Sequence, residues 1–170
     1  MTAVPLGLLM PLLPSKRTGL IDKNDHIIYS VTGTIGDKKV EGALGIRFVA
    51  VKEHEFLVDV MPKGVPFMNR ARLTFPWDGD DLSDLGGIIS GWSVRHDGQR
   101  LGEEAVSTPF GERRVEHYMR IEQLENGTLK TDQFVDPAHK LPYGARMSGK
   151  SGDVLFGIVE TSLNWVKESK

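Results

Sequence analysis

Val115-Glu116-His117-Tyr118-Met119-Arg120-Ile121-Glu122 alternates residue by residue. Val115, His117, Met119 and Ile121 fall on one side, and Glu116, Tyr118, Arg120 and Glu122 on the other. A period of two is the geometry of a β-strand with one wet face, because successive side chains leave a pleated backbone in opposite directions. Glu125-Asn126-Gly127-Thr128 follows. Asn-Gly is a strong hairpin signal, since both residues accept the positive φ of a tight two-residue turn. The return run, Leu129 to Val135, carries Thr, Phe and Val and stops at Asp136-Pro137. After a turn-rich segment, Val154-Leu155-Phe156-Gly157-Ile158-Val159-Glu160-Thr161 reads as a strand that continues to Trp165. Three consecutive strands joined by turns predict an antiparallel meander.

The chain upstream repeats the pattern. His26 to Ile35 sets Ile27, Tyr29, Val31 and Ile35 against Ser30, Thr32 and Thr34, and Gly36-Asp37-Lys38-Lys39 is a turn. Val40 to Val51 keeps Val40, Leu44, Ile46 and Phe48 in register; Phe56 to Val60 and Ala71 to Phe75 are shorter runs ended by Pro62-Lys63-Gly64 and Pro76. Ile88 to Val94 reads as a strand bearing Trp92, with Asp97-Gly98 as a hairpin turn into Arg100 to Ser107; Thr108-Pro109-Phe110-Gly111 turns the chain into the opening stretch. Strands at such spacing, with turn chemistry between them, belong to an all-β sandwich or barrel. Helix is expected only as a short stretch around Leu82 to Leu85 or in the N-terminal arm.

At 170 residues the chain suits one domain. Its 21 basic and 23 acidic residues give a net charge of −2 with no basic block, which argues against nucleic acid as a partner. The absence of cysteine removes disulfides, thiolate metal sites and a cysteine nucleophile. Ala3 to Leu13 is nearly all apolar but is interrupted by Pro5 and Pro11, and the first positive side chain is Lys16. It lacks the basic n-region of a secretory signal and is too short to span a bilayer. An apolar arm over residues 1–20, packed on the sheet, is the expectation.

Four motifs suggest chemistry. Asp78-Gly79-Asp80-Asp81-Leu82-Ser83-Asp84 concentrates four carboxylates, but not at the spacing of a twelve-residue calcium loop; a solvated turn is expected, with no metal. Gly144-Ala145-Arg146-Met147-Ser148-Gly149-Lys150-Ser151 matches the phosphate-loop pattern G-x-x-x-x-G-K-[ST]. That loop needs a buried strand before it and a helix after it, and here a two-proline segment precedes and a strand-like run follows. A glycine-rich hairpin end is expected instead, with no nucleotide cofactor. Asn126-Gly127-Thr128 is also an N-x-[ST] sequon, usable only on an exported chain. Among five scattered histidines, His117 stands out for sharing its face with Val115, Met119 and Ile121.

From Glu103 to Trp165 the chain resembles a loose group of bacterial and archaeal all-β proteins of unknown function. The resemblance is carried by Thr108-Pro109-Phe110-Gly111, the strand Val115 to Tyr118, Phe134-Val135-Asp136-Pro137 and Leu141-Pro142. Similar organisation occurs in curled-sheet carriers of the outer-membrane lipoprotein-chaperone type. The resemblance implies a half-barrel with an apolar interior on an exported protein, and it carries over no catalytic residue. This chain departs from it in having no evident signal and no cysteine for lipidation.

Together these readings predict an all-β fold over residues 1–170: a single curled antiparallel sheet, or half-barrel, of about eight to ten strands with little helix. Its concave face is expected to form an apolar pocket from Ile46, Phe48, Trp92, Val115, His117, Met119, Leu163 and Trp165. The function expected is a non-enzymatic binding module for an apolar small molecule or lipid, with peripheral membrane association as a further expectation. The alternative is a structural or protein-interaction domain with a filled interior, and nucleotide binding at 144–151 ranks last. The compartment is left open between the cell envelope and the cytoplasm.

Overall fold

The period-two runs become nine strands of one sheet. A computed structural model describes residues 19–168, so most of the expected N-terminal arm lies outside the described residues. The strands are β1 (His26–Ile35), β2 (Lys38–Val51), β3 (Glu55–Lys63), β4 (Ala71–Pro76), β5 (Gln99–Thr108), β6 (Gly111–Leu124), β7 (Gly127–Val135), β8 (Pro142–Gly149) and β9 (Gly152–Thr161). They run in the spatial order β4-β3-β2-β1-β9-β8-β7-β6-β5, every neighbouring pair antiparallel. Two meanders, β1 to β4 and β5 to β9, thus join through the β1–β9 pairing. The sheet stays open, with β4 and β5 as edges, and this is the curled all-β architecture that the alternating runs predict. Register shifts in β1/β9, β2/β3, β5/β6 and β7/β8 bend the strands, as bulges do by adding local twist.

Register defines the two faces. Val31 pairs with Phe156, Phe156 with Ala145, Ala145 with Gln133, and Gln133 with Tyr118. Cross-strand partners share a face, so these residues line one face, with Tyr29, Leu44, Ile46 and Val60 in neighbouring rows. The connection from β4 to β5, residues 77–98, runs from one edge to the other and covers that face. Trp77 meets Phe56 edge-on at 5.5 Å, and Leu82 and Leu85 are fully buried. Gln133, itself fully buried, donates from Nε2 to the Trp92 carbonyl (2.7 Å) and to Ser90 Oγ (2.5 Å), tying the connection down to β7. Tyr29 is likewise sealed in: its hydroxyl donates to the Pro142 carbonyl at 2.8 Å, and burial, with Tyr143 nearby, pushes its pKa above the ordinary tyrosine value.

Three expectations need correction. Residues 88–94 are not a strand: a 3₁₀ turn, Ser83–Leu85, leads into a five-residue helix α1 (Gly86–Ser90), ended by Gly91 at φ 84°. A short apolar run such as Ile88-Ile89 carries no period of its own, and the glycines around it free the backbone to coil and bury Ile89. Asp97-Gly98 is therefore a turn into β5 and not a hairpin. At the C-terminus β9 stops at Thr161, whose hydroxyl donates to the His26 carbonyl and accepts the Leu163 amide. Leu163 falls in the connection and Trp165 in helix α2 (Asn164–Glu168). Finally, β8 adds a fourth strand to the expected three-strand meander, in a segment that reads as turns because Pro142 opens it and Gly144 and Gly149 interrupt it.

Candidate functional site

The expected pocket residues do not converge. Ile46 and Phe48 lie on the covered face and are fully buried. His117 pairs across from Phe134 and Met119 from Asp132, whereas Tyr118 pairs with Gln133. His117 and Met119 therefore occupy the opposite face from Ile46 and Phe48, while Val115 lies beyond the pairing with β7. Val115 and Leu163 are fully buried core residues. Trp92 is buried in the connection, its ring packed where a side chain at Gly98 would sit. Trp165 donates from Nε1 to the Leu20 carbonyl at 2.9 Å and meets His139 edge-on. Of the sheet side chains expected around an empty interior, Ile46, Phe48 and Val115 belong to a close-packed core with Trp77, Leu82, Leu85 and Ile89, and His117 and Met119 do not.

The covered face is left open at one end. Residues 77–98 and the short α1 do not reach the ends of the β6–β7 and β8–β9 hairpins. There Ile35, Leu129, Met147 and Val154 form the floor of a recess of about 220 Å³, and Leu124 and Phe67 form its walls. Phe67, from the β3–β4 connection, is 41% exposed and stands edge-on to Phe156 at 6.4 Å; Leu124 is 45% exposed. A second groove of about 400 Å³ shares Phe67 and Met147 and continues past Met68, Leu73 and Ile88 toward edge strand β4. Contiguous exposed apolar surface of this kind marks interaction sites in soluble proteins. The backbones meet closely beneath the recess. Gly33 (φ 145°) and Gly152 (φ 156°) lie where a Cβ would run into the Asp153 and Thr34 carbonyls.

The rim of the recess is the stretch that matches a phosphate loop. β8 is an interior strand, paired with β7 on one side and β9 on the other, and Lys150-Ser151 is the tip of the β8–β9 hairpin. A phosphate loop works by turning successive backbone N–H groups onto one anion. Over residues 144–149 those groups belong to the two sheet ladders, and a strand, not a helix, follows Ser151. At the rim Asn126 Nδ2 donates to Ser151 Oγ (3.4 Å) and Thr128 Oγ1 to Gln123 Oε1 (3.2 Å). Lys150 is the only charged residue lining the recess, and its ammonium has no ion pair or hydrogen bond among the described residues.

Other polar clusters are accounted for by structure. His117 bridges three strands: Nε2 lies 2.6 Å from Asp132 Oδ1 on β7, Nδ1 contacts the Glu104 carboxylate on edge strand β5, and the ring stacks on Phe134 at 4.5 Å. The face expected to be apolar is thus polar around His117, and Ile121 farther along is 54% exposed. In the acidic loop Asp78 Oδ1 accepts the amides of Asp80 and Asp81, Asp81 and Asp84 face Arg95, and Asp80 contacts His139 Nδ1 at 2.7 Å. Asp136 accepts the His139 and Leu141 amides, closing the Asp-Pro turn. Burial raises its pKa above the usual carboxylate value and those amides hold part of the rise back.

Nothing in the sequence periodicity marks the recess, because Phe67 and Leu124 sit in or beside connections. The signal available is Leu124 and Leu129 flanking the Asn-Gly turn, an apolar pair carried to the tip of a hairpin that could have stayed polar.

No family model and no curated protein matches the chain. Among solved structures it is similar to that of a "putative exported protein with YmcC-like fold" from Bacteroides fragilis, with a TM-score of 0.55 at 10% identity over 85% of this chain and 98% of that one. At that identity the likeness is one of fold: an open, curled antiparallel sheet.

Proposed function

We propose that the chain is a non-enzymatic binding module that shelters an apolar small molecule or a lipid chain in the recess between the β6–β7 and β8–β9 hairpin ends. One observation carries this reading: the covered face is filled along most of its length, but at the hairpin ends Ile35, Leu129 and Met147 stay partly exposed around the buried Val154. A recess of about 220 Å³ suits one hydrocarbon chain rather than a drug-sized ligand, whose sites begin near 300 Å³. Each buried methylene contributes roughly 0.8 kcal/mol, so even a short chain gains useful affinity. The likeness to a protein described as exported fits an envelope carrier that touches membranes at this end.

Calorimetric titration with a short-chain amphiphile tests it. Saturable binding to the wild type, lost in Met147→Arg with the urea midpoint preserved, is the expected outcome. Met147 is half-buried at the floor, so a long side chain there fills the recess and keeps its charge at the mouth. A second reading, a structural or protein-interaction domain, is favoured by the filled part of the same face, where Trp77, Leu82, Leu85 and Ile89 pack. It takes over if no amphiphile binds.

A further inference from the structure

We infer that the ligand of this recess is a single-chain amphiphile with an anionic head, its tail on Leu129, Met147 and Val154 and its head at Lys150. The inference rests on the proposed binding reading and deepens it. The recess has an apolar floor and a rim of polar hairpin residues, so its occupant has one apolar end and one wet end. Of the rim side chains, Asn126 and Thr128 already donate to Ser151 and Gln123. Lys150 does not, and its ammonium brings three donors, no acceptor and a full positive charge. Its stem runs beside Gly127, where a Cβ would lie 3.7 Å from Lys150 Cβ, so the opposite hairpin tip leaves room for the stem. An ammonium on a flexible stem above an apolar slot complements a carboxylate, sulfate or phosphate monoester at the end of a chain. It disfavours a cationic head.

The experiment uses the full chain and three twelve-carbon probes below their micelle concentrations: dodecanoate, the neutral monododecanoyl glycerol and dodecyltrimethylammonium. Each is titrated into wild type, Lys150→Gln and Lys150→Glu. Lys150 is exposed and at a turn, so both variants are expected to fold as the wild type does. The expected result is an order dodecanoate, then neutral, then cationic in the wild type. The anionic preference should be about three- to tenfold, the range of a charge-assisted contact at a partly exposed site. Lys150→Gln should erase the preference while keeping the neutral probe's affinity, and Lys150→Glu should reverse it. Equal affinity for the anionic and neutral probes, or a preference unchanged in Lys150→Gln, overturns the anionic head and leaves the apolar recess standing. Binding of none of the three overturns the recess itself. A last arm mixes the protein with anionic phospholipid vesicles. Cosedimentation that dodecanoate does not compete away, without binding of the monomeric probes, replaces the single amphiphile with a membrane surface.

Discussion

Ile46→Ala asks whether the covered face is a filled core or a pocket. Ile46 is fully buried, paired with Ile27 on β1 and Val60 on β3, both also buried. The substitution removes three carbon atoms, worth about 2.4 kcal/mol of transfer free energy at roughly 0.8 kcal/mol each. The neighbours sit on three paired strands and cannot collapse fully into the void. At about 24 cal/mol per Å³ of residual cavity, some tens of Å³ left empty add roughly 1 kcal/mol. The expected loss is therefore about 3 to 4 kcal/mol. For a domain of this size each kcal/mol lowers Tm by about 2–4 °C, so the melting temperature falls by roughly 6–16 °C. Urea unfolding followed by far-UV circular dichroism measures it, and the midpoint should drop with an unchanged slope, because the surface exposed on unfolding is the same. A loss under about 1 kcal/mol, the range of surface substitutions, refutes the packed core and returns Ile46 to a pocket wall. Leu124→Ala, at a 45% exposed wall of the recess, serves as the control and should stay within about 1 kcal/mol.

Gly33→Ala should destabilise by more than about 2 kcal/mol in the same assay, since the added methyl meets the Asp153 backbone carbonyl at a positive φ and no side chain can give way. Mg-ATP should show no saturable binding in calorimetry to wild type or to Lys150→Ala; micromolar binding lost in the variant contradicts the sheet-ladder account of residues 144–149. Arg72 Nε donates to Asp59 at 2.7 Å, with Arg47 on the other oxygen, and holds the Asp59 pKa below the usual carboxylate value. A depressed folded pKa stabilises above the unfolded-state value, and that stability is lost as pH falls through the folded one. Carboxyl NMR should show Asp59 titrating low in the wild type and moving up in Arg72→Ala.

The strands were legible because each writes its burial into its own residues. Ile27, Tyr29 and Val31 are buried while Ile28, Ser30 and Thr32 are not, and that alternation needs no knowledge of the rest of the chain. The topology needed more. Nothing within β1 or β9 announces that they pair and so fuse two meanders, and β8, with Pro142 and two glycines, gives up side-chain pattern for backbone that can lie tightly against its neighbours.

Periodicity misleads at one particular strand, β6. Val115, His117, Met119 and Ile121 are the apolar-looking side of β6, so periodicity alone sends them toward the interior. Yet register places Tyr118 with Gln133 and Ala145 on the face that residues 77–98 cover, and leaves His117 beside Glu104 and Asp132 on the other. A strand reveals that it has two different sides; which side its neighbours bury is decided by the pairing register, and one residue of slip exchanges them. The polar side of β6 could turn inward because its partners there are polar too. Glu116 is held by Lys140 at 2.5 Å and contacts Tyr118 and Arg100. Burial works to raise its pKa, but those partners bring it below the usual carboxylate value. That network carries the covered face past its apolar core to edge strand β5 without stranding a charge. The recess lies at the hairpin ends, and none of its lining residues comes from the connection between β4 and β5.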